Sequence, residues 1–163
     1  MALPGPSCVR IAAQEATSAE NLVRKQLGLE AAATVSRDEV IVPLADAALR
    51  AKDNDATGAV VFAGNAIESY LEGLAGRLNV NVTGATGINS KLERFGQAGH
   101  FPKKLIQVGK YLGSIRNAAD HGVDPDVGAS WTIREATGVE YVLVACSFIA
   151  AATSREKGQA PEV

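Results

Sequence analysis

Apolar residues return at three- and four-residue steps along most of this chain, the spacing of a single buried helical face. The longest such pattern covers residues 56–78, where Val60, Phe62, Ala63, Ile67, Tyr70, Leu71, Leu74 and Leu78 recur. Asp53-Asn-Asp55 supplies a break and a cap before it. Gly58, Gly64, Gly73 and Gly76 interrupt it, each at a cost of up to about 1 kcal/mol against alanine in a helix interior. Four such positions predict close approach of a neighbouring helix. A second stripe, Leu105, Val108, Leu112 and Ile115, repeats at three-, four- and three-residue steps and predicts a helix packed in a bundle. A third pattern runs from Ala136 through Val139, Val142, Leu143, Cys146, Phe148 and Ile149 to Ala152. It is apolar on nearly all sides, as expected for the central helix of a bundle. Thr132-Ile-Arg-Glu135 has the capping-box spacing that would open it, and Trp131 is expected to anchor it.

The N-terminal third is patterned less regularly. Residues 1–16 begin with Pro4, Gly5 and Pro6 and read as poorly ordered or extended, with Val9 and Ile11 suited to a short strand or packing arm. Thr17-Ser-Ala-Glu20 and Ser36-Arg-Asp-Glu39 both match the capping box. The first predicts a short helix that buries Leu22, Val23 and Leu27 and stops at Gly28. The second meets Pro43, which has no amide to donate, so a helix either begins near Pro43 or starts at Ser36 and kinks. Residues 79–90 read as a polar, glycine-containing loop without the Gly-Lys-Ser/Thr ending of a phosphate-binding loop. A short helix through Lys91, Leu92 and Phe95 follows. His100-Phe-Pro102 restarts the chain, with Pro102 suited to a first helical turn. Residues 123–128 read as a turn-rich loop, and residues 154–163 as a polar, frayed end. The expected fold is therefore all-α, a four- to five-helix up-and-down bundle over residues 54–156. A helical extension (1–53) precedes it and a flexible tail (157–163) follows.

Composition fits this reading. Of 163 residues 47% are apolar and 21% charged, which suits one globular domain with a real core. A net charge of −2 argues against a nonspecific nucleic-acid coat. Residues 89–121 nonetheless carry Lys91, Arg94, Lys103, Lys104, Lys110 and Arg116 against Glu93 and Asp120. That excess is either a solvated helix face or a track for phosphates. Cys8 and Cys146 are too far apart in sequence for a disulfide framework or a metal-ligand spacing, and Cys146 reads as a small buried hydrophobe. No charged n-region followed by an apolar h-region stands at the N-terminus. The run Tyr141–Ala152 is too short to span a bilayer, so a soluble cytoplasmic protein is the expectation.

The chemistry concentrates in Ile115-Arg-Asn-Ala-Ala-Asp-His-Gly122. Gly122 suits the left-handed turn that ends helices, and a histidine in the last turn complements the negative end of the dipole. Arg116 and Asp120 stand at i, i+4, where an ion pair is worth roughly 0.2–0.5 kcal/mol. Arg116 and His121 are separated by roughly 140° and 7.5 Å on an ideal helix. Two routes would unite them: an early helix end that redirects the imidazole, or complementary groups from a second copy of the chain. His100, the other histidine, reads as a loop or helix-start residue. Glu68, Ser69 and Tyr70 are candidates to face the motif from the long helix.

The same stretch resembles the signature of the HEPN superfamily, an arginine often followed by a polar residue, then a histidine after a short gap. Arg116, Asn117 and His121 fill those places. The helical order over residues 55–153, with Gly99-His-Phe-Pro102 before the motif helix, extends the resemblance; residues 1–53 take no part in it. The resemblance implies a helical bundle that dimerises with the two motifs facing each other. Active members are metal-independent endoribonucleases of toxin–antitoxin, abortive-infection and other defence systems. In that reading Arg116, Asn117 and His121 are catalytic, with no cofactor and no metal. His121 takes the 2′-hydroxyl proton, Arg116 stabilises the developing phosphorane charge and Asn117 orients either group or the phosphate. Lys103, Lys104 and Lys110 would contact RNA phosphates, and the partners would be RNA, a second copy and an antitoxin or other protein. Two alternatives are a non-catalytic HEPN-like module binding RNA, nucleotide or protein, and a helical adaptor whose motif is only a helix stop.

Overall fold

A computed structural model describes residues 6–124, 129–130 and 133–158. The described residues are almost entirely helical. Six α-helices occur among them: α1 (Pro6–Thr34), α2 (Val42–Lys52), α3 (Ala56–Leu78), α4 (Gly87–Gln97), α5 (Lys103–His121) and α6 (Glu135–Glu156). Helices α1 and α2 come from the first 53 residues, which share the core, and α3 to α6 from residues 54–156. Ala19, Val23, Leu27 and Ala31 of α1 are buried in one cluster with α2, α3 and α6.

Helix α1 begins well before the expected capping box. Proline is compatible with a first helical turn, and nothing between Ser7 and Leu27 breaks the run of helix formers. Thr17 therefore lies mid-helix, its hydroxyl donating to the Ala13 carbonyl one turn back at 3.0 Å rather than capping anything. Val9 and Ile11 are helical and exposed, neither strand nor core. Leu22, expected inside, is 48% exposed. Gly28 does punctuate the element: its φ of 81° kinks α1 without ending it.

The conflict between Ser36 and Pro43 is resolved by a wider turn. Ser36 accepts from the Glu39 amide at 3.2 Å, and residues Arg37–Ile41 form a π-helical turn. Pro43 then falls in the first turn of α2, where its missing amide costs nothing. Asp55 caps α3 by accepting from the Gly58 amide at 2.9 Å and binding Arg50 at 2.8 Å. Those bonds hold its carboxyl below the usual range.

Helix α3, not α6, is the hub. It packs against α2, α4, α5 and α6, with Val60, Ala63, Ile67, Leu71 and Leu74 fully enclosed. Helix α6 packs on α1, α2, α3 and α5, yet one of its apolar edges stays open. Val139 and Leu143 are 47% and 42% exposed, and they face Ile11 and Leu22 across a groove of about 610 Å³ between α1, α2 and α6. At 22 residues α6 is long and apolar enough to cross a membrane, longer than the run 141–152, and half of its most apolar window is buried in this fold. It starts at Glu135 behind Arg134, which supplies no side-chain cap; Trp131 and Thr132 lie outside the described residues. Its last turn is held, since Glu156 takes a two-pronged bond from Arg77 of α3 at 2.6 and 3.2 Å. Between α5 and α6, Val123–Asp124 pairs antiparallel with Ala129–Ser130, a two-residue ladder where only a loop was expected.

Close approach is needed at fewer α3 glycines than the pattern suggested. A side chain at Gly64 would collide with Arg116, whereas one at Gly76 would meet nothing. Gly76→Ala is therefore expected to stabilise the protein by about 0.5–1 kcal/mol. In a scanning melt this is a rise of about 2–4 °C per kcal/mol for a chain of this size; a fall would show that α3 needs the glycine.

Candidate functional site

Helix α5 carries the motif to its own end. Its stripe buries Leu112 and Ile115, and Gly109 and Gly113 bring α5 against Leu92 and Asn89 of α4. Tyr141 of α6 donates to the Leu112 carbonyl at 2.8 Å, pinning α6 one turn before Arg116. Burial pushes the Tyr141 hydroxyl's pKa far up, nearby Arg116 opposing this and Glu68 adding to it. The hydroxyl remains a neutral donor.

Arg116 is then laid across α3. Its aliphatic stem fills the place a side chain would take at Gly64, and Nη2 donates to Oδ1 of Asn65 at 2.9 Å. Nη1 binds the Asp120 carboxylate, the i, i+4 partner expected from sequence. Nε is buried and has no partner among the described residues. The side chain is 13% exposed and Asp120 is 37% exposed. Arg116 is thus a fixed, mostly enclosed cation with an outer edge covered by one exposed carboxylate. Asn117 is half-buried beside it.

His121 is the last residue of α5 and is exposed; Gly122 follows in the left-handed region at φ 67°. Its amide closes the helix on the Ala118 carbonyl at 2.8 Å. The helix does not stop early, so no loop redirects the imidazole toward Arg116. Within one chain the two groups keep the divergence of an ideal helix, roughly 140°.

The expected phosphate contacts do not gather here. Lys103 and Lys104 begin α5, about 27 Å of helix rise from His121. Lys110 binds Glu93 at 3.3 Å. Lys91, counted in the basic excess, is only 4% exposed and lies between Glu68 at 3.5 Å and Glu72 at 3.3 Å. Lys91 and Lys110 are therefore already paired within the chain, the first inside the fold and the second at its surface. Glu68 turns to Lys91, and Tyr70 bonds Thr153 at 2.9 Å, so neither reaches the motif. Half-buried His100 sits at the α4–α5 turn, its amide on the Phe95 carbonyl at 3.1 Å.

Sequence reasoning missed Asn65, and it read Gly64 as a place of close helix approach without its neighbour Arg116. The signal was a glycine followed by an amide on the long helix, just ahead of Glu68, Ser69 and Tyr70. Among the described residues no cluster of three or more His, Cys, Asp or Glu is placed to hold a metal ion. No family model matches the chain, and no curated protein or solved structure matches it.

Proposed function

We propose that the protein is an HEPN-like endoribonuclease that works as a homodimer, with Arg116, Asn117 and His121 forming composite sites. The observation that carries the reading is Arg116 itself. An arginine is seated on a glycine, oriented by Asn65 and tethered at the same helix end as an exposed histidine. A guanidinium held in one orientation suits the equatorial oxygens of a phosphorane. In the composite site, His121 takes the 2′-hydroxyl proton, the 2′-oxygen attacks phosphorus, and the bond to the 5′-oxygen breaks. The leaving oxygen gains a proton, giving a 2′,3′-cyclic phosphate and a 5′-hydroxyl end. In this reading the protein acts in the cytoplasm, in a defence or toxin role with an antitoxin or other protein partner.

The test is cleavage of RNA by the purified protein in EDTA, with the product ends identified. Cyclic phosphate ends are expected, together with a dimer by solution mass. A monomer, or no cleavage of any RNA in a mixed pool, would overturn the proposal. One observation favours a second reading. Asp120 occupies Arg116, as it would in a non-catalytic module, and that module would bind RNA, nucleotide or protein without cutting.

A further inference from the structure

We propose that the cleft between the start of α5 and the end of α6 is a docking site for an acidic, amphipathic segment of a partner protein. The cleft is about 680 Å³; its floor is apolar (Leu105, Val108, Ala151) and its rim is cationic (Lys103, Lys104, Arg155). Val108 is 40% exposed, and Tyr111, 56% exposed, extends the apolar surface by one turn along α5.

Charge complementarity selects the occupant. A helix N-terminus is the positive end of the dipole and favours anions. The chain uses that rule elsewhere: Ser36 with Asp38 and Glu39 opens the π-helical turn, and Asp55 caps α3. Helix α5 breaks it. It has no acidic residue in its first turn, its N-cap is Pro102 with no side-chain bond, and it opens on two lysines. Arg155 adds a third cation. Among the described residues no carboxylate pairs with these three, whereas Lys110, Arg116 and Lys157 each have one and Lys91 has two. Like charge gathered on an uncapped positive end destabilises the start of α5, and acidic side chains of a partner would relieve it. The apolar floor separates a polypeptide from a nucleic acid, because a phosphodiester chain would meet the lysines and leave the floor uncovered. The site lies at the far end of α5 from His121, so the inference stands whether or not the protein cuts RNA.

The test uses the ¹⁵N-labelled full chain, titrated separately with three probes. The first is a synthetic helical peptide with glutamates on one face and leucines on the other. The second is its Glu→Gln counterpart, and the third a single-stranded RNA oligonucleotide. Amide shifts confined to the two helix ends with the acidic peptide, and weakened by added salt, are expected. The triple variant Lys103→Glu, Lys104→Glu, Arg155→Glu should lose at least about tenfold in affinity for that peptide. Its melting temperature should hold, since two glutamates that suit the start of α5 offset the one placed on the last turn of α6. A variant that keeps its stability and loses the peptide marks these cations as kept for binding. Equal binding of the Gln peptide, no shifts with the acidic peptide, shifts there with RNA instead, or unchanged affinity in the triple variant would overturn the proposal.

Discussion

Arg116→Ala and His121→Ala are each expected to lower RNA cleavage by roughly 10²- to 10⁴-fold, the range for losing a charge-stabilising group or a general base. Because the two side chains diverge on α5, which runs unbroken through His121, the sharper expectation concerns mixtures. If each site takes Arg116 from one protomer and His121 from the other, a dimer of one Arg116→Ala and one His121→Ala subunit contains one intact site and one doubly defective site. Equimolar remixing of the two dead variants should then restore about a quarter of the parental activity. A site made within one chain restores none, and that outcome would end the composite-site proposal.

The same geometry predicts two milder substitutions of opposite sign. Gly64→Ala places a methyl where the Arg116 stem lies, so Arg116 must leave Asn65 and cleavage should fall. Asp120→Asn removes the carboxylate that competes with a phosphate for Nη1, so RNA affinity and cleavage should rise. If Asp120→Asn instead lowers both, the carboxylate belongs to the working site rather than opposing it.

How much of this was legible in the sequence depends on how local each determinant is. Ser36 and Asp55 cap as expected because a cap is decided within four residues. Thr17-Ser-Ala-Glu20 has the same spelling and caps nothing, since the helix formers upstream already continue the helix, and Glu20 binds Arg37 instead. Periodicity marked the core stripe of α3 and the later half of the α5 stripe, Leu112 and Ile115, but it cannot say how far round or along a helix burial extends; Val108 of the same α5 stripe is 40% exposed. Leu22, Val139 and Leu143 are apolar and still face an open groove. At the candidate site, Arg116 with Asp120 and the stop at Gly122 were readable as i, i+4 and left-handed-turn chemistry. Asn65 was not, because it lies 51 residues from Arg116 and meets it only through the packing of α3 on α5. The basic excess misled for a related reason. A charge count gives the sign of a segment, not the partners that α3 and α4 bring to Lys91 and Lys110.

Phe148→Ala is expected to cause the largest loss of stability of any substitution considered, about 3–5 kcal/mol. Phe148 is 1% exposed and meets Phe101 edge-on at 6.4 Å; Phe101 in turn stacks on Phe95 at 4.9 Å and 18°. The three rings join α6 to the end of α4 and to the turn that starts α5. The edge of Phe148 rests where a side chain at Gly109 would come within 3.0 Å. Removing the ring takes away burial, the edge contact and the surface on which α5 closes, and neither neighbouring helix can fill the space without leaving its other contacts. Native domains hold only about 5–15 kcal/mol in total, so a loss of this size brings the variant close to unfolding at ambient temperature. Urea denaturation would show a much lower midpoint at an unchanged slope. Leu143→Ala, on the open edge of the same helix, should move the midpoint far less. Equal shifts for the two would mean that α6 is held by its groove-facing edge, and the packing of α5 on α6 described above would be wrong.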